Sequence, residues 1–305
     1  MTDRTERRAG FPGFTFPLRA MLLKIIARSI LIAWSLICVF PIYWLAVTSI
    51  KGADDVDRAY TFFPFLNFKP DLTAWRFILA DPSENLVTRL VNSLIIGGTS
   101  TLLTITVACL AIYAVTRAPR RHSPISRSVL LWIVLSTRLL PPAVLIMPFY
   151  IMAIGAGLYD TRTGLILVYT AVNLPVALWL LLPSFGNKST EMEEAAQLDG
   201  ASHLSILFTI FLPTIRASLF ATAMLVFLLC WNEYLFAVNL TSDHALTLPP
   251  WMVGQLSMKE AQVGGGPEEV AHLSAAATLM FAPLLIFASF IIRQLGKAAR
   301  WRGEA

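Results

Sequence analysis

Residues 194–213 run Glu194-Ala195-Ala196, three residues, Gly200, nine residues, Ile210, one residue, Leu212-Pro213. Glu191, Glu193, Glu194 and Asp199 crowd the same stretch, which lies between two long apolar segments. A charge at the bilayer centre costs several kcal/mol, so such a run cannot face lipid and must stand in water on one side of a membrane. Its residue types suit docking more than catalysis. The acids keep the segment wet, Ala195 and Ala196 let another surface approach closely, and Gly200 permits a sharp turn.

Other chemistry-bearing residues are few. Arg138 and Glu233 are the ionisable groups placed within apolar stretches, with Trp231 and Asn232 beside the latter. Counting 1.5 Å per residue, Arg138 falls roughly 16 Å into its span, near the membrane centre, and Glu233 about 30 Å beyond Pro213, toward the outer interface. Intramembrane charges face a bundle interior or a wet cavity. These two either belong to a translocation pathway or pair with a neighbouring helix or carbonyl. Gly186-Asn187-Lys188-Ser189 echoes the tail of a phosphate-binding loop, but the earlier glycine and a preceding strand are missing, so any ATP must be bound elsewhere. No H-E-x-x-H, nucleophile elbow or paired catalytic carboxylates lie in the apolar stretches, which argues against an intramembrane enzyme. Cys38, Cys109 and Cys230 sit in apolar runs without C-x-x-C spacing, and the four histidines are scattered, so no metal site is expected.

The elements that hold these residues follow from composition. The chain has 305 residues, 56% of them hydrophobic and 14% charged, with mean hydropathy +0.66. That is too apolar for an ordinary soluble domain. Uncharged runs long enough to span a bilayer occur at 29–50, 90–116, 139–159, 163–187 and 273–292. A shorter run at 217–232 continues past Glu233 to Ser242, and the third span is expected to begin near Ser128 and pass through Arg138. Six spans result, with Pro141-Pro142 bending or breaking the third.

The net charge of +5 reflects topology rather than nucleic-acid binding. Basic residues cluster before the first span (Arg4, Arg7, Arg8, Arg19, Lys24, Arg28), between the second and third (Arg117, Arg120, Arg121, Arg127) and after the sixth (Arg293, Lys297, Arg300, Arg302). The positive-inside rule places these regions, and both termini, in the cytoplasm. The expected organisation is a tail at 1–24, a six-helix domain at 25–296 with a cytoplasmic loop at about 186–212, and a tail at 297–305. In that loop Thr190-x-x-Glu193 has the form of a capping box, Gly200 ends a short helix, and Ser202 caps a second segment with Leu204, Leu207 and Ile210 on one face. Pro213 then opens the fifth span. Outside, residues 243–271 form a connector long enough to expect a function. Its Gly264-Gly265-Gly266-Pro267 suggests a flexible tip.

The spacing from Glu194 to Pro213, set between spans four and five, resembles the EAA loop of binding-protein-dependent ABC importer permeases. Further similarity lies in Phe40-Pro41-Ile42-Tyr43-Trp44, Thr48-Ser49-Ile50-Lys51, Asn92-Ser93-Leu94, Leu140-Pro141-Pro142, Gly164-Leu165-Ile166-Leu167 and Trp231-Asn232-Glu233-Tyr234. Together with Glu194–Ser202 these resemble the carbohydrate branch, and most of all its maltose permease G type, from about residue 28 to residue 293. The resemblance implies an all-α integral membrane protein with six transmembrane helices and a cytoplasmic EAA coupling helix, in the bacterial inner membrane. It implies that Glu194, Ala195, Ala196, Asp199, Gly200, Ile210, Leu212 and Pro213 form the ATPase-coupling surface. The implied partners are a second, different permease, two ATPase subunits that hold ATP and Mg, and a periplasmic or lipid-anchored sugar-binding protein met through Gly264–Pro267. No cofactor is implied for this subunit itself. The N-terminal extension is longer than the resemblance explains, and the C-terminal residues 293–301 depart from the family's Gly/Ala/Lys-rich tail. A secondary transporter working alone is the rival reading, weakened by the lack of an evident internal repeat and of more than one clear intramembrane acid.

Overall fold

The computed structural model describes residues 17–58, 60–80, 85–117, 132, 134, 136–185, 190–256 and 266–303. Among these the chain is helical, with one isolated bridge, Pro64 to Phe68, in place of any strand. The principal helices are α1 (Pro17–Thr48), α2 (Leu86–Arg117), α3 (Pro142–Gly155), α4 (Arg162–Leu181), α5 (Thr190–Leu198), α6 (Arg216–Trp231), α7 (Leu235–Leu240) and α8 (Pro267–Gly303). Among the described residues four stretches are long and apolar enough to cross a membrane: Met21–Thr48, Leu86–Thr116, Arg162–Ser184 and Pro267–Ile286. A fifth arises if His203–Thr214 and α6, bent by 81° against each other, count as one broken span. α3 is apolar but short.

The expected third span is broken at the proline pair. A 3₁₀ turn at Thr137–Leu139 gives way to Leu140 at φ −69°, ψ 128° and Pro141 at φ −57°, ψ 132°. Two consecutive prolines explain this. Each disfavours the helical conformation in the residue before it, and Pro142 can then open α3 in the first turn, where its missing N–H is harmless. The fifth segment is also interrupted. It bends at Ile215, stops at Asn232–Tyr234 and resumes as α7, so it does not run continuously from Pro213 to Ser242.

Lipid offers no hydrophobic drive for helices to associate, so close packing must supply it. α2 does so with a small-residue stripe. Ser93, Ser100, Thr101, Thr104 and Ala108 are all buried, at spacings that put them on one helical face. That face meets α4 and α6, which also contact each other. Gly164 sits where a Cβ would collide with the Leu158 carbonyl oxygen, which lets α4 start tight against the preceding turn. The core continues through Tyr169, Leu178 and Leu181 of α4, then Phe211, Val226, Phe236 and Leu240. By contrast α1 is exposed along most of its length and meets α8.

The end of the bundle near Asp160 is heavily tied. Beyond α1, the Lys51 ammonium lies 4.2 Å from the Trp44 ring centre and 5.8 Å from that of Phe68. Burial pulls its pKa below the usual lysine range, although Asp55 opposes the shift. The Trp75 indole donates to Ser49 Oγ at 3.2 Å, and Phe77 stacks on His272 of α8 at 4.1 Å. The first part of the connector after α7 is not a loose loop. Leu246, Leu248 and Trp251 are buried in one cluster with Ala271 and Ala275 of α8. Asn92 donates to the carbonyls of His244 and Leu246, both at 2.9 Å. Arg89 bonds both the carbonyl and the carboxylate of Asp243.

Candidate functional site

Two features stand out, one at each depth of the fold. At the end opposite Asp160, α5 and the segment after it form a helix–turn–helix knob. α5 closes with two crossed bonds, Ala201 N–H to the Ala196 carbonyl at 2.9 Å and Gly200 N–H to the Gln197 carbonyl at 3.0 Å. Gly200 has φ +84°, the left-handed position at which glycine terminates a helix in this pattern. Ser202 then caps the next segment, its side chain accepting from Ser205 N–H at 3.2 Å. A short α-helix, His203–Ile206, runs into a π turn, Leu207–Phe211.

Ala195, Asp199 and Gly200 are exposed and Ala196 is half-buried; α5 contains Glu194, whose side chain is outside the described residues. Ile210 and Leu212 are half-buried, and Pro213 is exposed just before the 81° bend. The buried face is not the expected Leu204, Leu207, Ile210. It is Ile206, Leu207, Phe211 and Ile215, because the π turn takes more residues per turn than an α-helix and delays the return of each face. Tyr113 of α2 anchors this face, its hydroxyl donating to the His203 carbonyl at 3.2 Å and its ring 6.0 Å from Phe211. Two features were not legible. Glu193 is buried despite its acidic setting, and apolar Leu198 is 90% exposed at the tip.

The second feature is a cleft of about 660 Å³ where both helix breaks meet. It is lined by Arg138, Pro141, Tyr169, Asn173, Asn232 and Glu233 among others. Arg138 and Glu233, assigned different depths by counting along continuous helices, thus share one cavity. Arg138 Nη2 donates to Asn173 Oδ1 at 2.9 Å. Asn173 Nδ2 donates in turn to the Tyr169 carbonyl at 2.9 Å and the Cys230 sulfur at 3.4 Å. Glu233 receives the Phe236 and Ala237 N–H groups at 2.9 and 3.0 Å, which caps α7. Trp231 does not line the cleft. It is buried, and its indole donates to the Met280 carbonyl of α8 at 3.2 Å, a packing role. Of the expected external contact residues, Gly264 and Gly265 lie outside the described residues. Gly266 precedes α8 as exposed coil, and Pro267 begins the helix.

Apolar helices around a cleft that gathers Arg138, Asn173 and Glu233, with a capped knob at one end, fit a membrane-embedded transport permease. The chain belongs to the family of binding-protein-dependent transport system inner membrane components, which it matches over residues 107–301. It is similar to the trehalose/maltose transport system permease protein MalG of Thermococcus litoralis, at 31% identity over 90% of this chain and 95% of that protein. It is also similar to the sulfoquinovosyl glycerol transport system permease protein SmoH of Agrobacterium fabrum, at 30% identity over 78% of this chain and 80% of that protein. Its fold resembles a chain in the crystal structure of a bacterial ABC transporter involved in the import of the acidic polysaccharide alginate. The TM-score is 0.71 at 19% identity, covering 91% of this chain and 98% of that chain.

Proposed function

We propose that this chain is one permease subunit of an ATP-driven importer that carries a sugar or sugar derivative across the inner membrane. The observation that carries this reading is the knob at Thr190–Phe211, rigidly capped on both sides of Gly200 and exposing Leu198 and Asp199. Its shape suits insertion into a groove of a partner. Relatives named as sugar permeases favour a saccharide as cargo. The partners in this reading are a second permease, two ATPase subunits holding ATP and Mg, and an extracytoplasmic binding protein. A related assembly is described in complex with an alginate pentasaccharide-bound periplasmic protein. Residues 243–271, Gly264–Pro267 included, would meet that protein, and Glu194 to Pro213 would meet the ATPase.

In this arrangement the chain makes six crossings within residues 25–296. The third passes through the break at Leu140-Pro141 and the fifth through the break at Asn232–Tyr234, with both tails, 1–24 and 297–305, in the cytoplasm. Non-helical backbone at that depth is tolerated because it faces a cavity rather than lipid. Reporter fusions at Arg121 and Lys188 should read cytoplasmic, and fusions at Asp71 and Gly265 periplasmic. A periplasmic signal at Lys188 would separate the knob from ATP and defeat the coupling role.

The transport reading is tested with vesicles containing the whole importer. Uptake should require ATP and the binding protein and persist when proton and sodium gradients are dissipated. Uptake that collapses with an ionophore while ATP remains would instead identify a secondary carrier.

A further inference from the structure

The cleft between the two helix breaks offers hydrogen-bond donors and acceptors in one place. Arg138 is half-buried and spends one bond on the neutral Asn173. Its Nε is buried without a partner, and the ion pairs among the described residues, Arg58–Asp55 and Arg89–Asp243, leave it out. A buried guanidinium N–H without an acceptor is costly, so the site favours an incoming oxygen. Glu233 supplies the opposite polarity. Its two oxygens each accept one backbone N–H, and a carboxylate has about four acceptor positions. Asn232 Nδ2 is engaged by the Leu228 carbonyl at 2.9 Å, while the residue remains exposed. Tyr234 adds aromatic surface to the lining, and the buried Tyr169 side chain lies beside Glu233.

We propose that this cleft binds a neutral saccharide directly, with ring hydroxyls accepting from Arg138 and donating to Glu233, so that this subunit helps to set cargo specificity. A hydroxyl group both donates and accepts, so one sugar ring can serve both residues. The formal charges of Arg138 and Glu233 sum to zero, so the cleft carries no net formal charge to recruit an acid. An acidic sugar would satisfy Arg138 but bring its own charge against Glu233. The volume lies within the roughly 300–1,000 Å³ of small-molecule sites. This inference rests on the sugar-import reading above.

The test uses the complete importer in vesicles, with binding protein outside and ATP inside. Maltose, trehalose, melibiose and raffinose are offered as labelled neutral cargo, and digalacturonate and sulfoquinovose as acidic cargo. Single-hydroxyl deoxy analogues of whichever cargo is carried are then competed against it, with their affinities for the isolated binding protein measured separately. A neutral sugar should be transported. After correction for the binding protein, Arg138→Gln should erase about tenfold discrimination against one deoxy analogue, the scale of a hydrogen bond to a charged group. Glu233→Gln keeps an acceptor for the α7 cap and should relax discrimination at a neighbouring hydroxyl. A variant that merely loosened the fold would lower all uptake without changing these ratios. Arg138→Lys serves if Arg138→Gln does not assemble. Sugar uptake with unaltered ratios in every variant overturns the inference and leaves the import reading standing, as does selective uptake of the acidic cargo. If no saccharide is carried, the import reading falls and takes the inference with it.

Discussion

Gly200→Val should abolish ATP-driven uptake, or cut it by more than tenfold, while the membrane helices still assemble. At φ +84° an L-residue in the left-handed region pays roughly 1–2 kcal/mol, and a β-branched one more. That penalty is large for a turn held by two backbone bonds, Gly200 to Gln197 and Ala201 to Ala196. The knob can escape it only by rotating α5 away from Ser202. A Cβ at Gly200 would meet nothing within 4 Å, so the defect is conformational and not a clash within the chain. Two controls follow. Gly200→Asn tolerates the same conformation and should keep most uptake, and Gly200→Ala should fall between. Uptake and co-purification of the ATPase subunits are the readouts. If valine is harmless, the turn does not transmit force. If asparagine is as damaging as valine, side-chain bulk against a partner decides instead of backbone geometry.

How far the sequence carries this reading depends on what each feature needs. The apolar stretches were legible because length and composition alone decide them, and α1, α2, α4 and α8 lie where those runs fall. The end of α5 and the start of the segment after it were legible because Gly200 and Ser202 act on their own neighbours within a few residues. The cleft was not, although Arg138 and Glu233 were both singled out. Their depths were counted along unbroken helices, whereas Pro141-Pro142 stops one chain segment and Asn232–Tyr234 stops the other. Breaks bring the two residues together, and a one-dimensional count cannot contain that. The stripe from Ser93 to Ala108 was passed over because small polar residues inside an apolar run look unremarkable until another helix lies against them. Trp231 illustrates the converse. Its place beside Asn232 and Glu233 suggested a shared role, but helix rotation turns it toward Met280. The connector after α7 looked loose for lack of local pattern, since its order comes from partners about 80 to 155 residues away in sequence.

Asp160 is the chief of those distant partners, and Asp160→Ala should lower stability by about 2–3 kcal/mol, on the scale of losing hydrogen bonds to a charged acceptor. Its carboxylate receives the N–H groups of Ser242, Asp243, His244 and Ala245 at 3.1–3.2 Å and the Ser242 hydroxyl at 2.9 Å. It thereby fills an anion-binding nest of consecutive backbone donors. Asp160 itself has φ +53°, so alanine adds backbone strain to the lost acceptor. Asp160→Gly removes the acceptor but not the conformation's tolerance, and Asp160→Asn keeps one oxygen and the left-handed preference. The expected order of stability is wild type, asparagine, glycine, alanine. Burial alone would raise the carboxyl pKa, but the hydrogen bonds from Ala245, Ser242 and His244 outweigh it and hold the group below the usual carboxylate range. A lowered native pKa contributes stability that is fully present above the unfolded value, roughly 4, and is lost as pH falls through the native one. The gap in melting temperature between wild type and Asp160→Asn should therefore be constant from pH 6 to 8, on the order of several degrees, and shrink below about pH 4. A gap that persists unchanged in acid would mean that the charge contributes nothing and that the nest is held by shape alone.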